Sequence, residues 1–148
     1  MAITINIIAV GKSKKSAQQD LYQDYIKRLD WPVKLHEIIL KNTDPAKLKQ
    51  LEAVAILDKI PNNGKVIALD ERGKTMSSIT LSQKAENWIN DGAQNLTFII
   101  GGADGLDQTV RDRADLILSF GQLTFCVEIS SNVLHCQFPL NLCGVQKF

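Results

Sequence analysis

The chain has 148 residues, 45% of them hydrophobic and 22% charged, with a formal net charge of +1. These are ordinary values for a single globular domain that buries roughly two thirds of the surface its unfolded form exposes, and they exclude a disordered polyelectrolyte. Near-neutrality also excludes attraction to nucleic acid by overall charge, so any RNA contact has to come from a local patch.

No charged leader precedes a long apolar core and no apolar run reaches the length of a membrane span, so a cytoplasmic protein with no membrane partner is expected. Residues 3–10 begin with alternation and end continuously apolar, which predicts a strand entering a sheet interior. Gly11 ends it. Lys12, Lys14 and Lys15 follow and are candidates for phosphate contact, with a plain solvated loop as the alternative. Over residues 16–29, Leu21, Tyr25, Ile26 and Leu29 recur at helical spacing, and Tyr22 and Tyr25 read as packing residues. Trp31-Pro32 breaks that helix, and residues 33–40 read as a second strand.

Asp44-Pro45 is a helix start with a mechanism: the carboxylate accepts from an orphan amide, and proline at the first helical position loses nothing. Leu48, Leu51, Val54, Ala55 and Leu57 or Asp58 would give that helix its apolar stripe up to Ile60. Pro61-Asn62-Asn63-Gly64 is a turn, residues 65–69 form a third strand, and residues 70–74 (Asp-Glu-Arg-Gly-Lys) read as a polar loop at its C-terminal end. Thr80 with Gln83 makes a capping-box pattern for a helix ending near Asp91-Gly92. Residues 96–100 are an unbroken apolar or β-branched run, as expected of a central strand covered on both faces.

That run stops at Gly101-Gly102-Ala103-Asp104-Gly105, three glycines in five residues. Such a loop lets a ligand or another backbone come close, and in open α/β sheets ligands bind beyond the carboxyl ends of the strands. A plain strand-to-helix turn is the alternative. Residues 107–113 then read as a short helix and residues 114–119 as a fifth strand. The β-α-β-α-β-α-β-α-β order predicts an α/β fold with a mostly parallel sheet and flanking helices. Asp70 and Asp104 lie in the ligand-edge loops and are candidates for a general base. The plainer reading makes Asp104 a helix cap and leaves Asp70 to hold its own loop. Arg72 and Lys74 join the lysines as candidates for phosphate contact. The three cysteines, Cys126, Cys136 and Cys143, show no Cys-x-x-Cys spacing and read as reduced thiols. His36 and His135 have no neighbour at metal-ligand spacing, so no metal is expected.

Four blocks in order carry a likeness: Ile7-Ile8-Ala9-Val10-Gly11-Lys12, Ala68 to Lys74, Phe98 to Leu106, and Leu118-Ser119-Phe120-Gly121-Gln122-Leu123-Thr124. Together they resemble the RlmH family of large-subunit ribosomal RNA pseudouridine N3-methyltransferases, over about residues 1–124. The resemblance implies the SPOUT class: an α/β methyltransferase with a C-terminal trefoil knot, acting as a homodimer with S-adenosyl-L-methionine on 23S rRNA in the assembled ribosome. It carries cofactor contacts over to Leu69, Gly101, Phe120, Gly121, Gln122, Leu123, Thr124 and Phe125. These residues follow strand ends, and their apolar side chains and exposed backbone suit adenine and the methionine carbons. No phosphate-directed G-x-G-x-x-G is needed or present. The resemblance names no general base.

One domain, 1–148, is expected, with 125–148 as an atypical segment. There the family's Pro-His pair, Leu-rich helix with its Glu-Gln-Leu-Tyr-Arg-Ala text, and His-Pro-Tyr-His tail are missing. In the family that helix completes the knot and the dimer interface. A reading frame shifted near the Thr124 codon accounts for such a change, and a divergent tail is the other account. The alternative function is a non-catalytic RNA- or ribosome-binding relic with an incomplete site. A different nucleotide-binding α/β protein is a third and weaker option.

Overall fold

The computed structural model describes residues 3–11, 17–102 and 104–121. Nine elements follow in the predicted order: β1 (Thr4–Val10), α1 (Ala17–Lys27), β2 (Val33–Ile38), α2 (Pro45–Lys59), β3 (Gly64–Lys74), α3 (Ser78–Asn90), β4 (Asn95–Ile100), α4 (Gln108–Arg113) and β5 (Leu116–Leu118). The five strands form one sheet in the order β2-β1-β4-β3-β5, with every neighbouring pair parallel. β1, β4 and β3 are flanked on both sides, which explains the apolar runs Ile7 to Val10, Phe98 to Ile100 and Val66 to Leu69 within them.

Side chains alternate between two layers, as the pleat requires. Ile5, Ile7, Ala9, Ile67, Phe98 and Ile100 point to the layer shared with Tyr22 of α1 and with Leu81 and Ala85 of α3. Ile8, Val66, Ala68 and Ile99 point the other way, onto Ala53 and Ile56 of α2 and Val110 of α4. Ile7, Ile8, Ile67, Phe98 and Ile99 have no exposed surface. Burial of this kind, at about 25 cal/mol per Å² of apolar surface, is the main force holding helices to sheet. The polar exception Asn6, 2% exposed, donates through Nδ2 to Asn95 Oδ1 at 3.1 Å, so its amide is not left unpaired.

The helix starts are set by side chains. Asp44 accepts from the Ala46 N–H with Pro45 next in line, as the sequence predicts. The cap of α3 is Ser77, not the Thr80 of the expected capping box. The Ser77 hydroxyl accepts the Thr80 N–H at 3.1 Å, and the Thr80 hydroxyl lies 2.9 Å from it. α4 is capped by Asp107, so Asp104 does not have the capping role expected for it.

Two helix stripes differ from expectation. α1 buries Tyr22 with Ile26 packed beside it, while Leu21 is 45% exposed. α2 buries Ala53 and Ile56, with Leu57 and Ile60 packed alongside, while Leu51 and Val54 face outward. α2 carries apolar residues on two faces, and Ala53, Ile56, Leu57 and Ile60 satisfy the i, i+3, i+4, i+7 spacing as well as the expected set does.

β3 differs most. Residues 70–74, expected as a loop, continue the strand with a skip in register, so that Leu69 and Lys74 both face Leu118 of β5. The skipped residues bow out as an arch. The Asp70 carboxylate accepts the Arg72 N–H at 2.9 Å across its base, which is the local role predicted for Asp70. At Gly73 the arch returns against β5. A Cβ there would lie 2.6 Å from the Ile117 carbonyl oxygen, so only glycine fits.

Candidate functional site

The carboxyl ends of β4, β3 and β5 lie side by side. Leu69 faces Ile100 of β4 on one flank and Leu118 of β5 on the other. Leu69, Gly101, Phe120 and Gly121, far apart in sequence, therefore share one edge. Leu69 and Phe120 are half-buried and pack against the layer covered by α1 and α3. Gln122, Leu123, Thr124 and Phe125 lie outside the described residues, as do Lys12, Lys14, Lys15, the three cysteines, His135 and the segment expected to form the knot.

The glycines have separate local causes. A Cβ at Gly101 would sit 3.0 Å from two carbons of Leu106, because the loop folds Leu106 back under the strand end. A Cβ at Gly102 would meet Val10 Cγ1 at 3.1 Å. The loop closes where the Gly105 N–H donates to the Gly102 carbonyl at 3.0 Å, with Gly105 at φ +76. Gly121, at φ +124, turns the chain after β5, and no described atom lies within 4 Å of where its Cβ would be.

Connections diverge between β1 and β4, which go on to β2 and β5 on opposite sides, so topology alone would put the crevice between these two strands. Val10 packs against Gly102 there, and Glu52 Oε2 from α2 approaches to 3.9 Å of the Gly102 Cβ position. Burial pushes the Glu52 carboxyl above its usual range, and the negative charge of Asp104 adds to the shift. Glu52 was not picked out in the sequence. It became visible only once the buried face of α2 was known.

Two charged residues of the arch, Asp70 and Arg72, are already engaged with each other. Asp70, whose side chain is 5% exposed, accepts from the Arg72 N–H, from Arg72 Nε and Nη2 at 3.0 Å each, and from Arg111 Nη1 of α4 at 3.3 Å. Four donors fill the lone-pair sites of a carboxylate, which unfits Asp70 for taking a proton from substrate. Arg72 and Lys74 keep exposed side chains, with Arg72 tied to Asp70. His36, on edge strand β2, has its pKa lowered by burial and by the cations Lys59 and Lys34, and lies away from this edge. Among the described residues no group of three or more His, Cys, Asp or Glu side chains is placed to hold a metal ion. No described helix is long and apolar enough to cross a membrane.

Residues 3–138 match the family model described as "Predicted SPOUT methyltransferase", a span that reaches past the quoted blocks into the atypical segment. Over 120 residues the chain is 42% identical to the ribosomal RNA large subunit methyltransferase H of Paramagnetospirillum magneticum, covering 80% of this chain and 79% of that protein. It is 38% identical to the protein of the same name from Rhodospirillum centenum, with the same coverage. Among solved structures, a probable methylase family protein from Haemophilus influenzae superposes with a TM-score of 0.58 at 11% identity, covering 94% of this chain and 66% of that one. The SpoU methyltransferase AviRb from Streptomyces viridochromogenes, in complex with AdoMet, superposes at 0.55 and 9% identity, covering 99% of this chain and 60% of that one. This chain thus spans less than two thirds of either structure, and the likeness to them is one of fold.

Proposed function

The chain belongs to the SPOUT methyltransferase family, and from that premise we propose that it is a ribosomal RNA methyltransferase that uses S-adenosyl-L-methionine to methylate N3 of a pseudouridine in 23S rRNA of the assembled ribosome. The supporting observation is the gathering of Leu69, Gly101, Phe120 and Gly121 on one sheet edge. The residues present fit such a cofactor: Leu69 and Phe120 offer half-buried apolar walls, and among the described residues no atom stands within 4 Å of where a Gly121 Cβ would be. The family resemblance adds Gln122, Leu123, Thr124 and Phe125 to the same set of contacts. We assign cofactor contact to these residues, and a cytoplasmic homodimer with a knotted C-terminal part in one domain belongs to the same proposal.

Leu69, Phe120 and the backbone at Gly101 and Gly121 would hold S-adenosyl-L-methionine, which would supply a transferable methyl group on sulfonium sulfur. The chain's own contribution is alignment. Holding donor and acceptor in line replaces a bimolecular encounter and supplies much of the rate without covalent help. The acceptor nitrogen also gives up its proton, and Asp70, saturated by two arginines, is not the group that takes it.

The loss of family text after residue 124 favours a second reading, a binding relic with an incomplete site. Calorimetry with S-adenosyl-L-methionine separates the two, since saturable binding supports the enzyme and its absence supports the relic. Methyl transfer to assembled ribosomes, compared with free rRNA and mapped to the modified base, then tests the substrate. A methyl group on another base, or on no RNA, would overturn the N3 assignment.

A further inference from the structure

Ser119 is an uncommon residue for its place. It is a hydroxyl just past the end of β5, 5% exposed, and no cofactor contact is carried over to it. Its backbone N–H donates to the Lys74 carbonyl at 2.9 Å, so it pairs with the far foot of the β3 arch. Its side-chain oxygen accepts the Gly121 N–H at 3.1 Å and lies within donating distance of two carbonyls, Glu71 at 3.1 Å and Gly121 at 2.9 Å. A hydroxyl has one proton, so only one of these carbonyls receives it at a time. Either way one side chain touches the middle of the arch and the turn at Gly121, the two stretches that flank Leu69 and Phe120.

We propose that Ser119 is a positioning residue for the cofactor edge: its hydroxyl pins the β3 arch to the turn after β5 and so sets the gap between Leu69 and the backbone at Gly121. The inference rests on the reading of this edge as the S-adenosyl-L-methionine site. Three observations make the link specific. The register skip leaves residues 70–73 without regular pairing to β5, so the arch needs another tie. Gly121 at φ +124 is a turn that a capped N–H stabilises. Gly73 brings the arch close enough to β5 for one short side chain to reach across.

The test uses the full chain with Ser119→Ala and Ser119→Cys, the second keeping volume while giving up a strong hydrogen bond. S-adenosyl-L-methionine affinity is measured by calorimetry at a temperature where every variant is folded, and exchange of the Gly121 amide is followed by hydrogen–deuterium exchange. The expected result is affinity weakened about fivefold in both variants, as loss of one hydrogen bond of typical net strength gives, with faster exchange at Gly121. Equal affinity in the parent and both variants overturns the proposal and leaves the cofactor site standing. Restored affinity in Ser119→Cys alone also overturns it, since packing would then be the cause. A parent chain that binds no S-adenosyl-L-methionine takes down the site and this inference together.

Discussion

Replacing Asp70 by alanine should cost more through Arg111 than through Arg72, although the Arg72 contact has the better geometry. Arg72 meets the carboxylate in a fork with both contacts at 3.0 Å, whereas Arg111 makes one contact at 3.3 Å. Exposure reverses the order. The Arg72 side chain is 63% exposed and the Arg111 side chain 16%. An exposed ion pair contributes about 0–1 kcal/mol, because water competes for both partners. A hydrogen bond between charged groups withdrawn from water contributes about 1.5–3 kcal/mol, and the long Arg111 contact belongs at the low end of that range. Asp70→Ala should therefore destabilise by about 2–3 kcal/mol, which for a chain of this length lowers Tm by roughly 4–12 °C. Double-mutant cycles by urea denaturation should give a coupling for Asp70 with Arg111 that exceeds its coupling with Arg72 by about 1 kcal/mol. Added salt should shrink the second more than the first. Equal couplings, or a larger one to Arg72, would show that geometry outweighs burial at this corner and refute the reasoning.

Gly73→Ala should destabilise by about 1–3 kcal/mol, since a backbone oxygen stands where the methyl must go, and it should weaken cofactor binding as the arch moves; thermal melts and calorimetry measure the two effects. Ile56→Ala should cost about 2–5 kcal/mol in chemical denaturation, and Val54→Ala, on the outer face of the same helix, no more than about 0.5 kcal/mol. The Asp107 carboxyl is held below its usual range by the backbone N–H and then the hydroxyl of Thr109. A lowered acid contributes stability above its unfolded pKa and loses it as pH falls through the folded one. The Thr109 amide resonance should thus follow a titration at lower pH than that of an aspartate without such bonds.

Element order and sheet class were legible because β1, β3 and β4 each carry an apolar run (Ile7 to Val10, Val66 to Leu69, Phe98 to Ile100) and because Asp44-Pro45 and the turn at Pro61-Asn62-Asn63-Gly64 punctuate the chain between them. Less legible was which face of a helix turns inward. α2 offers two stripes of similar strength, and only contact with Ile8, Ala68 and Ile99 selects Ala53 and Ile56 over Leu51 and Val54. The arch of residues 70–74 read as a loop because its residues are polar. Its strand character depends on Gly73 meeting Ile117 and on Ser119 meeting Lys74, partners more than forty positions away that no local pattern announces. Leu69, Gly101 and Gly121 were found from the family likeness. Their adjacency follows from β3 standing between β4 and β5, which periodicity does not specify.

The place of β4 constrains how the molecule can assemble. Its partners on both sides, β1 and β3, precede it in the chain, and Thr4 waits for Asn95. During synthesis the first three strands therefore emerge with two facing backbone edges open, and the fourth has to slot between them like a book returned to a full shelf. Such distant pairing folds slowly and leaves sticky edges bare in the meantime. Substitutions that delay the arrival of β4, for example by weakening the seat of α3 that delivers it, should reduce the yield of folded protein at a synthesising ribosome more than they reduce the stability of the finished molecule.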